Sequence, residues 1–289
     1  MESQPALAVV QCGDRRAGLE ALVPGLDGSV ALDRRFLAGA AALAEVLPPD
    51  VRDPCVGCAT GVGPAAIWLR DLPAPLALPP TPSDPRRPPL REDVFAELWL
   101  SAIGALMGSP VAYGQVGAVF RHLVPSTSGS CRPIRYRTAE SRNPEPPDHL
   151  LLWCHRGDRS AVVRLASVQQ ALRWLDPRDV DVLSQPAFRR GGEPTRVLDA
   201  ETRELVAWHP RHLQALGGAP REALHRLGQA FEWATELLIL QPGDLLVLDN
   251  HRVVHGLTAY PARNDGTDLW LQRMATRRAS AEARATLAS

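Results

Sequence analysis

The sequence predicts a mainly β protein with flanking helices, an α+β chain built on a double sheet. Three observations carry this. After Gly108 the chain breaks into short β-type runs separated by Pro, Gly and Ser clusters. Two more such runs return near the C-terminus, at 244–248 and 269–275. Helical patterns are confined to the first 108 residues and to an insert at about 166–240. A chain of 289 residues can bury a full core. The expected organisation is one domain over 1–289, with a helical and loop part at 1–108 and a sheet core at 109–289.

Taken in order, the Ala/Leu-rich run 32–47 carries an Asp near its start and reads as a helix, stopped by Pro48 and Pro49. The stretch 72–90 is so dense in Pro that it has to be an extended loop, since each Pro fixes φ and lacks a backbone donor. Residues 91–107, REDVFAELWLSAIGALM, place acids in the first turn and apolar residues at helical spacing. Strands are predicted at 116–124, 134–137, 149–154 and 161–165, and helices at 168–175 and 221–239.

Composition excludes several functions. All 32 basic residues are Arg, so no Schiff-base, pyridoxal-phosphate or P-loop lysine exists. The formal net charge is zero and the arginines form no tract, which argues against nucleic acid as a partner. There is no apolar run of about 18 residues and no secretory leader pattern, so a cytoplasmic chain with no membrane partner is expected. The five Cys show no disulfide-framework spacing. Cys55 and Cys58 form a lone C-x-x-C; buried or loop thiols are the plainer reading, and metal or redox work the alternative.

The segment 240–274, LQPGDLLVLDNHRVVHGLTAYPARNDGTDLWLQRM, resembles the C-terminal iron-site segment of the clavaminate synthase-like group of iron(II)/2-oxoglutarate oxygenases, part of the TauD/TfdA superfamily. The blocks VGAVFRHLVP (116–125) and PDHLLLWCHRGD (147–158) are similar to two further segments of the group, so the match spans roughly 110–274. The resemblance implies a double-stranded β-helix, a distorted cupin-like jelly roll, and a small amino-acid-like substrate, free or carrier-bound, in natural-product metabolism. It makes His255 the distal metal ligand and Arg273 the residue gripping the 2-oxoglutarate carboxylate. Neutral imidazole is a good ligand for a borderline metal, and a guanidinium fork matches a carboxylate.

The pattern breaks where the family has H-T-E or H-T-D, the other two protein ligands. Here the residues are Arg137, Thr138 and Ala139. A guanidinium stays protonated and cannot ligate a metal. Glu140, one place along, should face the other side of the strand unless a bulge intervenes. The family's Thr that helps hold 2-oxoglutarate also has no counterpart among Val162, Val163 and Arg164.

These residues suggest a metal-independent enzyme with a degenerate iron site. In it His255, Arg137 and Arg273 are catalytic, and Arg273, Arg137, Thr138 and Glu140 bind an anionic substrate. A non-oxidative step is expected: cyclisation, elimination, isomerisation or acyl transfer, with no cofactor. Two alternatives stay open. One is a non-catalytic protein in which Arg137 plugs the metal position and pairs with Glu140 or Asp249. The other is an oxygenase rebuilt with His122, His149 or His155 beside His255, although His149 and His155 lie roughly 20 Å apart along one strand. His209, His212, His225 and His251 receive no role, and Trp153 and Trp270 are expected in the core.

Overall fold

The computed structural model describes residues 6–22, 34–75, 77–86, 94–112, 117–125 and 131–278. The N-terminal part runs β1 (Leu7–Gln11), α1 (Arg16–Leu22), α2 (Arg34–Val46), α3 (Pro49–Thr60), β2 (Ala66–Arg70) and α4 (Phe95–Met107). There follow β3 (Ser109–Pro110), β4 (Arg121–Leu123), β5 (Ile134–Arg137), β6 (His149–Arg156) and β7 (Val163–Ser167). The insert comprises α5 (Val168–Leu172), α6 (Pro177–Leu183), β8 (Phe188–Arg190), β9 (Glu193–Thr195), β10 (Leu213–Ala215) and α7 (Gly218–Trp233). The chain closes with β11 (Thr235–Leu238), β12 (Leu245–Asp249), β13 (Val253–Leu257) and β14 (Trp270–Arg277).

Two sheets make the jelly-roll core. The larger has the order β1-β2-β12-β6-β14-β3, with β4 also on β14; the smaller has the order β11-β7-β13-β5. Side chains alternate along a strand, so β6 serves two cores at once. Leu150, Leu152 and Cys154 point between the sheets, toward Val163, Leu165 and Val253. Leu151 and Trp153 point the other way, into a helical layer that includes Phe36, Leu43, Leu98 and Ile103. Both faces are covered, which explains why HLLLWCHR is a near-continuous apolar run rather than an alternating one. The insert covers the outer face of the small sheet, where Tyr136, Ala166 and Val254 meet Ala171, Leu227 and Phe231.

Three differences from the sequence reading have physical causes. The N-terminal part is not only helix and loop: β1 and β2 pair in parallel, and β2 pairs with β12, extending the large sheet. The helix predicted at 221–239 ends at Trp233, because residues 235–238 pair antiparallel with β7 despite their helix-forming Glu and Leu. Of the strand predicted at 116–124, the described residues keep only Arg121–Leu123. Predicted helix or loop residues at 32–33, 76 and 87–93, and strand residue 116, lie outside the described residues. Trp153 and Trp270 are core residues as expected. Cys55 and Cys58 are fully buried and unbridged in α3, and burial first of all pushes the Cys58 thiol up to about 12. No helix among the described residues is long and apolar enough to cross a membrane.

Candidate active site

Strand β13 lies between β7 and β5, and His255 is the direct register partner of Arg137 on one side and Leu165 on the other. A register shift follows, between His255 and Leu257. Gly256 permits this approach, since a Cβ there would meet the Ile134 carbonyl oxygen at 2.6 Å. Arg273 comes from β14 of the other sheet. The three side chains share a cavity of about 370 Å³, whose wall is completed by 138–142 and by His209, Arg211 and His212.

The segment after β5 is held by buried backbone contacts. The Thr138 N–H donates to the Trp208 carbonyl at 2.8 Å, and its hydroxyl accepts from the Trp208 N–H at 2.9 Å. Thr138 lines the cavity, but this bond engages its hydroxyl oxygen with the chain beside His209. Asn250 clamps Ala139 from both sides: its Oδ1 accepts from the Ala139 N–H at 2.5 Å, and its Nδ2 donates to the Ala139 carbonyl at 3.1 Å. Glu140 does not turn away as strand alternation predicts. The strand ends at Arg137, and Glu140 adopts φ +48°, a left-handed conformation uncommon for a side-chain-bearing residue. Its carboxylate thereby accepts from Arg273 Nη2 at 2.6 Å and lies 3.6 Å from Arg121 Nη1. The pairing of Arg137 with Glu140 or Asp249 that belongs to the non-catalytic alternative is not found among the described residues. Asp249 instead pairs with Arg278 at 2.6 Å and Arg252 at 3.8 Å.

Electrostatics leave the imidazoles neutral. Removal from water, then the charges of Arg137 and Arg273, push His255 down to about 3. Burial, His212 and nearby arginines push His209 down to about 4, and burial and Arg142 lower His212. His209 and His212 stack at 3.6 Å between centroids, and Arg142 donates to His212 Nε2 at 2.9 Å. Neither histidine carries a role in the sequence reading; the Thr138–Trp208 clamp brings their loop to the cavity, and no local pattern announces a contact across 70 residues.

The histidines suggested for a rebuilt centre are elsewhere. His149 faces Thr276 at 3.2 Å, His155 bonds Gln272 at 2.9 Å, and His122 accepts from the Trp270 indole at 2.9 Å. None of them lines the His255 cavity. Among the described residues no group of three His, Cys, Asp or Glu is arranged to hold a metal. As they stand, Arg137, Ala139 and His255 do not fit an iron(II) centre.

The chain is 31% identical over 262 residues to an L-asparagine oxygenase of Streptomyces coelicolor, covering 78% of this chain and 75% of that protein. It belongs to the clavaminate synthase-like family of iron(II)/2-oxoglutarate oxygenases. Clavaminate synthase 2 of Streptomyces clavuligerus is 28% identical over 298 residues, covering 93% of this chain and 92% of that one. The fold superimposes on a crystal structure of asparagine oxygenase with iron(II), 3-hydroxyasparagine and succinate, with a TM-score of 0.83, 26% identity and 97% of this chain covered. No protein-family model matches the chain.

Family membership corrects two expectations. A non-oxidative, metal-independent reaction and the absence of a cofactor are overturned, because the relatives are named as oxygenases and hydroxylases and the matched structure holds iron, hydroxylated product and succinate. The Arg137 and Ala139 replacements therefore do not by themselves imply that the family's chemistry is lost.

Proposed function

We propose that this chain is an oxygenase acting on a small amino-acid-type substrate, free or carrier-bound, with a metal site rebuilt around His255. The whole of 1–289 is read as one domain of the family. The observation that carries this reading is that His255 and Arg273, the two family positions that survive, line one polar cavity although they come from different sheets. His255 then keeps its ligand role and Arg273 its carboxylate. Arg137 and Glu140 contact the substrate, and Thr138 acts by fixing the loop that carries His209.

Further donors have to be recruited, and the lining offers His209, His212 and Glu140. Recruitment requires the stacked imidazoles to part and Glu140 to leave Arg273. The test is anaerobic titration of metal-stripped protein with Fe(II) and 2-oxoglutarate, reading retained iron and the charge-transfer absorbance of the ternary complex. One iron per chain with that band, both lost in His255→Ala, is the expected result. No retained iron and no band would reject the oxygenase reading. A second reading is favoured by Arg137 itself, a fixed positive charge opposite His255: a family member that binds the ligand class without turning it over.

A further inference from the structure

The small sheet ends at β11, and among the described residues no strand pairs with its outer edge. An edge strand presents a row of backbone donors and acceptors that another strand can pair with, and such edges are commonly blunted by Lys, Pro or a covering loop. β11 carries neither Lys nor Pro, and its one acid, Glu236, lies on the inner face by strand alternation. Leu238 and Leu240 point inward with it, into the core between the sheets. Thr235, Leu237 and Ile239 take the opposite face, where Thr235 bonds Tyr136 under the insert. Leu237 is left 65% exposed and Ile239 39%.

Two tryptophans adjoin this edge. Trp233 closes α7 and Trp174 follows α5; their rings meet edge to face at 5.7 Å, yet they are 61% and 62% exposed. The other five tryptophans are buried or half-buried. Glu232, the neighbour of Trp233, pairs with Arg164, the register partner of Leu237, so indoles and strand edge belong to one patch. That ion pair carries no net charge to hold two such patches apart. At ~250 Å² for a whole side chain, the two indoles alone expose roughly 300 Å². Doubled across a twofold axis, with Leu237, Ile239 and the paired backbones added, the patch approaches the ~1,000 Å² expected of a specific interface.

We propose that the β11 edge and the Trp174–Trp233 patch form a homodimer interface, in which β11 pairs antiparallel with the β11 of a second copy and the two four-stranded sheets run on as one. A twofold axis uses the same residues on both sides, as an antiparallel strand pair does. Centred on Leu237, it sets that residue against its own mate and Thr235 against Ile239, and leaves both indole pairs on one face beside the axis. Only β7 separates β11 from β13, so His255 stands two strands, roughly 10 Å, from the interface. Dimerisation thereby braces the strand that holds Leu165 against His255.

Sedimentation equilibrium of the full chain from about 1 to 100 μM tests it. The parent is dimeric at the upper end of that range, and Trp233→Glu and Trp174→Glu each weaken association at least tenfold, since an unpaired carboxylate would be buried in an apolar contact. Leu237→Cys, oxidised with diamide, yields a disulfide-linked dimer that the parent treated alike does not, because opposed residues of an antiparallel pair lie ~4.5–5.5 Å apart at Cα, within disulfide reach. Circular dichroism and thermal melting establish that each variant is folded; should a glutamate variant not fold, the Leu237→Cys arm decides. The proposal is overturned if the parent is monomeric at about 100 μM, if either folded glutamate variant dimerises like the parent, or if Leu237→Cys stays unlinked in a dimeric sample.

Discussion

Asn250 shows how much of the site depends on a residue that never faces the cavity. It is 2% exposed and bonds both backbone groups of Ala139, as well as the Pro147 carbonyl at 2.8 Å. Removing its amide strands those groups in a buried setting, so Asn250→Ala should destabilise the protein by about 1–3 kcal/mol. It should also loosen Glu140, one residue on. Urea unfolding measures the first effect; an unchanged midpoint would show that water or a neighbour replaces the amide. Asn250 was legible in the sequence only as part of the matched segment 240–274, where its type is given but its partner is not. His255, Arg273 and Arg137 were legible because the long patterned segment and the strand IRYR fix their positions. Glu140 was misplaced because strand alternation was extended three residues past the end of β5. His209 and His212 were missed because their position depends on a clamp between distant segments.

Strands set the spacing of these side chains, and β13 lies close against β5. A methyl group at position 256 would stand 2.6 Å from the Ile134 carbonyl oxygen, which is backbone and cannot swing aside. Gly256→Ala should therefore push β5 outward, carry Arg137 away from Arg273, and cost about 1–3 kcal/mol of stability as an overpacking change. Weakened ligand binding alongside a lowered melting temperature is the expected pair of results. A full-affinity variant would mean that the strands relax without moving Arg137. The central strands were readable from their apolar runs, since burial on both faces leaves little else in β6 or β12. The edge elements were not: LAVVQ is short, and TELL favours a helix by propensity until pairing with β7 overrides it.

At the scale of the whole molecule, Asp148 and His251 tie several segments together. The His251 ring bonds the Asp148 carboxylate at 3.0 Å and the Leu205 carbonyl at 2.8 Å, and the Arg278 N–H donates to Asp148 at 2.8 Å. Burial opposes the charged forms, but the His251 and Arg278 hydrogen bonds hold Asp148 down at about 2, while Asp148 and Leu205 raise His251. The raised His251 stabilises fully below its ordinary value of 6.5, and that contribution is lost as pH climbs through the raised one. Asp148 acts in the other direction, stabilising above its ordinary 3.8 and failing as pH falls toward 2. His149, His209 and His255 are held neutral, at about 3, 4 and 3, so unfolding takes up their protons and stability falls as pH drops below 6.5. Urea midpoints should therefore decline on both sides of about pH 6.5, and His251→Gln should flatten the alkaline side. An unchanged alkaline decline in that variant would exclude the pair as its source.

Strand β12 also governs the order in which the chain can become a protein. It separates β2 from β6 in the large sheet, pairing with both, yet its residues 245–249 are made some 180 positions after β2. Until it emerges, β2 and β6 each present an unpaired apolar edge, the kind of surface that seeds aggregation. Pairings so distant in sequence also make for slow closure. A nascent or truncated chain ending before residue 245 is thus a hazard rather than a smaller version of the fold, and the segment that carries the family's metal-site motif is the one that completes the sheet.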